Sequence, residues 1–69
     1  MNSKKTSKKA FGDRIKAARE KLELTQVQVA EAADMTVNYY AMIERGEVNP
    51  SFEKIKNIAS VLKLKVTIS

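Results

Sequence analysis

Leu24-Thr25-Gln26-Val27-Gln28-Val29-Ala30-Glu31-Ala32-Ala33-Asp34-Met35-Thr36 is the stretch on which the fold turns. Its first half is locally ambiguous, because Gln26-Val27-Gln28-Val29 alternates as a strand would. Two features favour a helix. Thr25 and Gln28 have the spacing of a capping box, in which the hydroxyl accepts a first-turn amide and the Gln side chain reaches back. Ala30-Glu31-Ala32-Ala33 adds high helix propensity. The spacing predicts a helix over 26–33. Asp34-Met35-Thr36 then reads as a tight turn, with Thr36 capping the next helix. That helix runs from Val37 to about Arg45 and stops at Gly46, a residue that takes positive φ freely.

Working outward, Phe11, Ile15, Ala18 and Leu22 recur at the spacing of an amphipathic stripe, predicting a helix from near Ser7–Ala10 to Leu22. On the other side, Asn49-Pro50 suits the opening of a fourth helix, Asn as cap and Pro as first helical residue. Phe52, Ile55, Ile58, Ala59 and Leu62 supply its apolar stripe. The end of the chain changes period. Lys63-Leu64-Lys65-Val66-Thr67-Ile68-Ser69 alternates strictly, as a strand does, with Leu64, Val66 and Ile68 on one face. A lone strand leaves its backbone unpaired, so its expected partner is the same segment of a second copy.

The expectation is therefore an all-α, four-helix domain with a short C-terminal β-strand. A basic, flexible arm (1–9) precedes the helical domain (10–62), and the strand (63–69) is a dimerisation element. At 69 residues there is room for one small domain only. The chain has no Cys and no His, which removes disulfides, thiol nucleophiles and the commonest base and zinc ligand. No nucleophile–base set can be assembled, so an enzyme is not expected, nor a metal or cofactor. No run of about 20 apolar residues could span a membrane. A cytoplasmic protein is expected.

The net charge of +5 is unevenly placed. Lys4, Lys5, Lys8 and Lys9 put four positive charges and no negative one in the first nine residues, while the rest is nearly neutral. Such an arm suits DNA phosphates, whose neutralisation releases condensed counterions.

Two short helices joined by a three-residue turn make a helix-turn-helix, in which the second helix enters the DNA major groove. Leu24-Thr25-Gln26, Val29-Ala30, Ala33-Asp34-Met35-Thr36, Ile43-Glu44-Arg45-Gly46 and Asn49-Pro50 resemble the Cro/C1-type (XRE-type) helix-turn-helix family over about Phe11 to Leu64. The resemblance implies a compact lambda-repressor-like domain in which Tyr40 and Ile43 face inward and Met35 plugs the core at the turn. Glu23 and Asp34 stand where the family usually has glycine. The strand ending looks like the HipB-type antitoxin and repressor branch, whose C-terminal strands pair across a dimer.

The first turn of the third helix carries Thr36, Val37, Asn38 and Tyr39, with Met42 one turn beyond Asn38 on the same face. An Asn amide can read adenine through two hydrogen bonds, while Val37 and Met42 offer apolar contact to a thymine methyl. Tyr39 suits a phosphate or sugar. The resemblance further implies that Gln26 contacts the DNA backbone and braces the first recognition-helix residue. It implies also that Arg19 and Glu44 form an ion pair between the first and third helices. Arg45 and Ser51 complete the expected backbone contacts, with Arg19 also near a phosphate and Lys4, Lys5, Lys8 and Lys9 in the arm.

The function expected is a sequence-specific repressor, a homodimer on a palindromic double-stranded operator. The alternatives are an antitoxin that binds a toxin protein and represses its own operon, and a protein-interaction module with no DNA role.

Overall fold

The computed structural model describes residues 3–64, with side chains from residue 8 onward. Four helices follow in order, α1 (Ser3–Lys21), α2 (Gln26–Ala32), α3 (Val37–Glu44) and α4 (Phe52–Leu62), and no strand occurs among the described residues.

The two central helices start where their caps predict. The Thr25 hydroxyl accepts from the Gln28 backbone N–H at 3.0 Å, and the Gln28 side-chain oxygen accepts from the Thr25 N–H at 2.8 Å, a complete capping box. The Thr36 hydroxyl accepts from the Tyr39 N–H at 3.1 Å and opens α3.

Three expectations are corrected. First, α1 begins at Ser3 rather than near Ser7–Ala10, so the segment read as a flexible arm continues the helix. Nothing between Ser3 and Ala10 is a Gly or Pro that would stop it. Second, α4 is capped by Ser51, whose hydroxyl accepts from the Lys54 N–H at 3.2 Å, and not by Asn49. Pro50 lies before the cap, buried, and lines a cavity with Ile55, the pairing of a hydrophobic staple. Phe52 thus falls at the open end of α4 and is half exposed rather than core, with the Lys56 ammonium 5.7 Å from its ring centre. Leu22, just past the end of α1, is likewise exposed. Third, Lys63 adopts left-handed φ (60°) and the Leu64 N–H bonds back to the Ala59 carbonyl at 2.8 Å. These two residues close α4 instead of beginning a strand. Val66 and Ile68 lie outside the described residues.

That closure recurs at every helix end. Glu23, Asp34, Gly46 and Lys63 all take positive φ, and the next residue's N–H reaches back five positions in each case. Only one of the four is glycine. Leu24, Met35 and Leu64, directly after the left-handed residue, each pack against the core, as this motif favours.

The core gathers Ile15 from α1, Val29 and Ala30 from α2, Tyr40 and Ile43 from α3, and Ile58 and Leu62 from α4. Ala30 is fully buried, and its small side chain lets α2 and α3 meet near the turn. At Gly12, α1 meets the end of α3: a Cβ there would lie 2.6 Å from the Ile43 carbonyl oxygen and 2.8 Å from the Glu44 carbonyl carbon. From α4, the Asn57 amide donates to the Ala33 carbonyl at 3.3 Å and the Lys54 ammonium to the Asp34 carbonyl at 3.4 Å. Carbonyls left open at the end of α2 are satisfied in this way. The two-helix unit is thereby held from both sides, leaving one face of α3 in solvent.

Candidate nucleic-acid interface

The free face of α3 is set by which residues the core takes. Tyr40 and Ile43 are fully buried, so Val37 and Asn38 project outward, with Val37 41% exposed. Met42 is half-buried beside them, and the Asn38 amide nitrogen lies 3.9 Å from its sulfur. Thr36 is exposed at the cap, its hydroxyl oxygen already accepting from Tyr39. Tyr39 is half-buried and packs against the core, so it is more constrained than a free surface side chain.

Beside this face lies a polar cluster drawn from three helices. Glu44, at the end of α3, is only 4% exposed. Its carboxylate receives Arg19 from α1 in bidentate fashion, Nε at 2.7 Å and Nη2 at 3.2 Å. A third N–H of the same guanidinium goes to the Leu24 carbonyl at 3.0 Å, tying the loop between α1 and α2 into the cluster. The Gln26 amide, from the first residue of α2, donates to Glu44 Oε1 at 2.9 Å. Burial alone would push the Glu44 carboxyl up, but hydrogen bonding, Arg19 foremost, outweighs it and holds the group below its usual range. The same contact raises Arg19. Tyr40 also faces the carboxylate. Its hydroxyl is buried without a hydrogen bond of good geometry, and burial first, then its close polar contact with the Glu44 carboxylate and that group's charge, drives it well above the usual phenol range.

Arg19, Gln26 and Glu44 line a cleft of about 400 Å³ together with Lys9, Lys16 and Arg45. The cleft is mainly cationic at its rim. Lys9 pairs with Asp13 at 2.8 Å, and Arg45 pairs with Glu47 through contacts of 2.8 and 3.1 Å, all four side chains being exposed. The Glu47 carboxyl is held below its usual range by that guanidinium.

The fold brings some of the residues singled out in the sequence together and leaves others apart. Arg19, Gln26, Arg45 and Lys9 come together in the cleft, and Val37, Asn38 and Met42 come together on α3. Ser51 stays exposed, its hydroxyl engaged as a cap. Lys8 lies apart, lining a smaller cavity of about 230 Å³ with Phe11, Asn49, Pro50 and Ile55. Lys4 and Lys5 are in α1, but their side chains are outside the described set. One expectation is redirected. Gln26 is held by Glu44 at the end of α3 rather than bracing Val37 at its start, since Val37 has no polar side-chain atom to receive it. Lys16 also lines the cleft and is not among the residues singled out in the sequence. Its spacing from Lys9 and Asp13, four then three, was the signal that it shares their face of α1.

Three comparisons bear on this geometry. A helix-turn-helix family model matches residues 15–68. The immunity repressor protein of Bacillus phage phi105 is 45% identical over 56 residues, covering 81% of this chain and 39% of that protein's length. The crystal structure of the restriction-modification controller protein C.AhdI from Aeromonas hydrophila superposes with a TM-score of 0.83 at 27% identity, over 87% of this chain and 91% of that one.

Proposed function

This chain belongs to the helix-turn-helix family, and we propose that it is a DNA-binding transcriptional repressor that acts as a homodimer on a palindromic operator. The observation that carries the reading is the division of α3. One side is locked into the core through Tyr40 and Ile43, and the other presents Val37, Asn38 and Met42 to solvent beside a cationic cleft. A helix held in that way can lie in the major groove while the cleft meets the flanking phosphate backbone.

In this reading each α3 enters a major groove, and the two half-sites lie about 34 Å apart, one helical turn. Asn38 reads an adenine, and Val37 and Met42 meet thymine methyls. Arg19, Gln26, Lys9, Lys16 and Arg45 position the domain on the backbone and carry no sequence information. Arg45 would exchange Glu47 for a phosphate on binding. Ser51, Tyr39 and Thr36 add sugar or phosphate contacts, and Lys4, Lys5 and Lys8 add positive charge in the first turns of α1. Repression is steric, in the cytoplasm, and needs no cofactor. The two named relatives are a repressor and a controller protein, so the antitoxin alternative is not carried forward.

Selection of bound duplexes from a random pool tests the proposal. A repressor of this kind enriches a two-fold symmetric site. An unenriched pool, with weak binding indifferent to sequence, would favour an interaction module instead.

A further inference from the structure

We infer that Glu44 is a positioning residue for DNA binding, acting through the Gln26 amide. The inference rests on the reading that Gln26 contacts the DNA backbone. Glu44 is almost wholly buried at the base of the cleft and carries the wrong charge for a phosphate contact. Its carboxylate nonetheless fixes two of the donors that line the cleft, Gln26 at 2.9 Å and Arg19 at 2.7 and 3.2 Å.

Donor counting shows what that leaves. An amide nitrogen carries two N–H groups, and the hydrogen bond to Glu44 uses one and fixes the plane of both. The other is then held at the mouth of the cleft. Without Glu44, Gln26 would be a first-turn side chain free to rotate, and the ordering cost would fall on DNA binding. Val37 cannot replace the anchor, because it offers no acceptor. The carboxylate is suited to the task because one oxygen receives both Gln26 and Arg19 while the other receives Arg19 alone. A neutral amide in its place has a single acceptor oxygen and cannot hold all three bonds.

Electrostatics and positioning predict opposite signs, which makes the idea testable. Glu44→Gln removes a negative charge beside the cleft. If charge alone mattered, the variant would bind DNA more tightly and with a steeper salt dependence. If Glu44 positions Gln26, the variant binds more weakly despite that charge.

The experiment measures the affinity of Glu44→Gln, Gln26→Ala and the double variant for a 30-base-pair random-sequence duplex, with the folded fraction of each followed by circular dichroism. The expected result is a loss of about fivefold for Glu44→Gln when Gln26 is present, and a distinctly smaller loss, that of the Arg19 anchor alone, when Gln26 is already Ala; equal losses in the two backgrounds overturn the role. If Gln26→Ala weakens binding while Glu44→Gln does not, the positioning role is overturned and the backbone contact stands. Unchanged binding by Gln26→Ala overturns both. Should Glu44→Gln fail to fold, the Gln26 side-chain amide in the unaltered protein gives the answer by ¹⁵N relaxation. Order matching the α2 backbone supports the role, and a freely rotating amide overturns it.

Discussion

Gly12 lies so close to Ile43 that a methyl group on it would sit 2.6 Å from the Ile43 carbonyl oxygen. The Ile43 and Glu44 carbonyls that a Cβ would meet are helix backbone, so neither can give way cheaply. Gly12→Ala would normally stabilise a helix interior by roughly 1 kcal/mol. Here the clash should win, with a net loss of about 3 kcal/mol. Urea unfolding of the variant checks the sign, with Ala17→Gly on the exposed side of α1 as the ordinary propensity control.

The helix ends invite the opposite change. Glu23 and Asp34 hold positive φ at 60° and 63° with side chains that disfavour it. Glu23→Gly should raise stability by roughly 0.5–1 kcal/mol, the relief of strain exceeding the added freedom of the unfolded chain. Asp34→Gly should give less, since Asp tolerates that conformation better. The two gains should add, because the sites share no partner.

Tyr40 separates packing from polarity. Its ring fills the centre of the core, so Tyr40→Ala should cost about 3–5 kcal/mol, enough to unfold most of a domain this small. Its hydroxyl is buried without a good hydrogen bond. Tyr40→Phe should therefore leave stability unchanged or raise it by up to about 1 kcal/mol. Thermal melts of the two variants side by side would read both effects.

The Glu44 carboxyl is held below the usual range, so it binds a proton less readily folded than unfolded. Its stabilising contribution is complete above the ordinary glutamate pKa, about 4.3, and is lost as the pH falls through the lower folded value. The measurement is urea unfolding between pH 7 and pH 2. Stability should fall across the acid end, and that fall should be shallower in Glu44→Gln.

What could be read in the sequence follows the range of the interactions involved. Thr25 with Gln28, and Thr36 with Tyr39, act within one turn, so the starts of α2 and α3 are written locally. Ser51 and Asn49 are both good caps two positions apart, and the buried Pro50 tips the choice toward Ser51. Periodicity marks Phe52 and Leu22 as apolar but not where a helix runs past its neighbours, which is why both are exposed. The contact of Gly12 with Ile43 and Glu44 leaves no local trace at all, being a product of helix crossing. In the cleft, the Arg19–Glu44 pair was suggested by family resemblance. The Gln26–Glu44 bond was not, because it joins residues from separate helices whose approach only the fold defines.

The central claim is that the outward face of α3 reads sequence, with Asn38 as its most informative residue. Its most direct test is selection from a random duplex pool by the native protein and by Asn38→Ala in parallel. The account predicts a symmetric site for the native protein and the loss of preference at one base pair per half-site in the variant. That loss is worth roughly 1–3 kcal/mol, at unchanged stability. Identical base preferences in the two selections would contradict it.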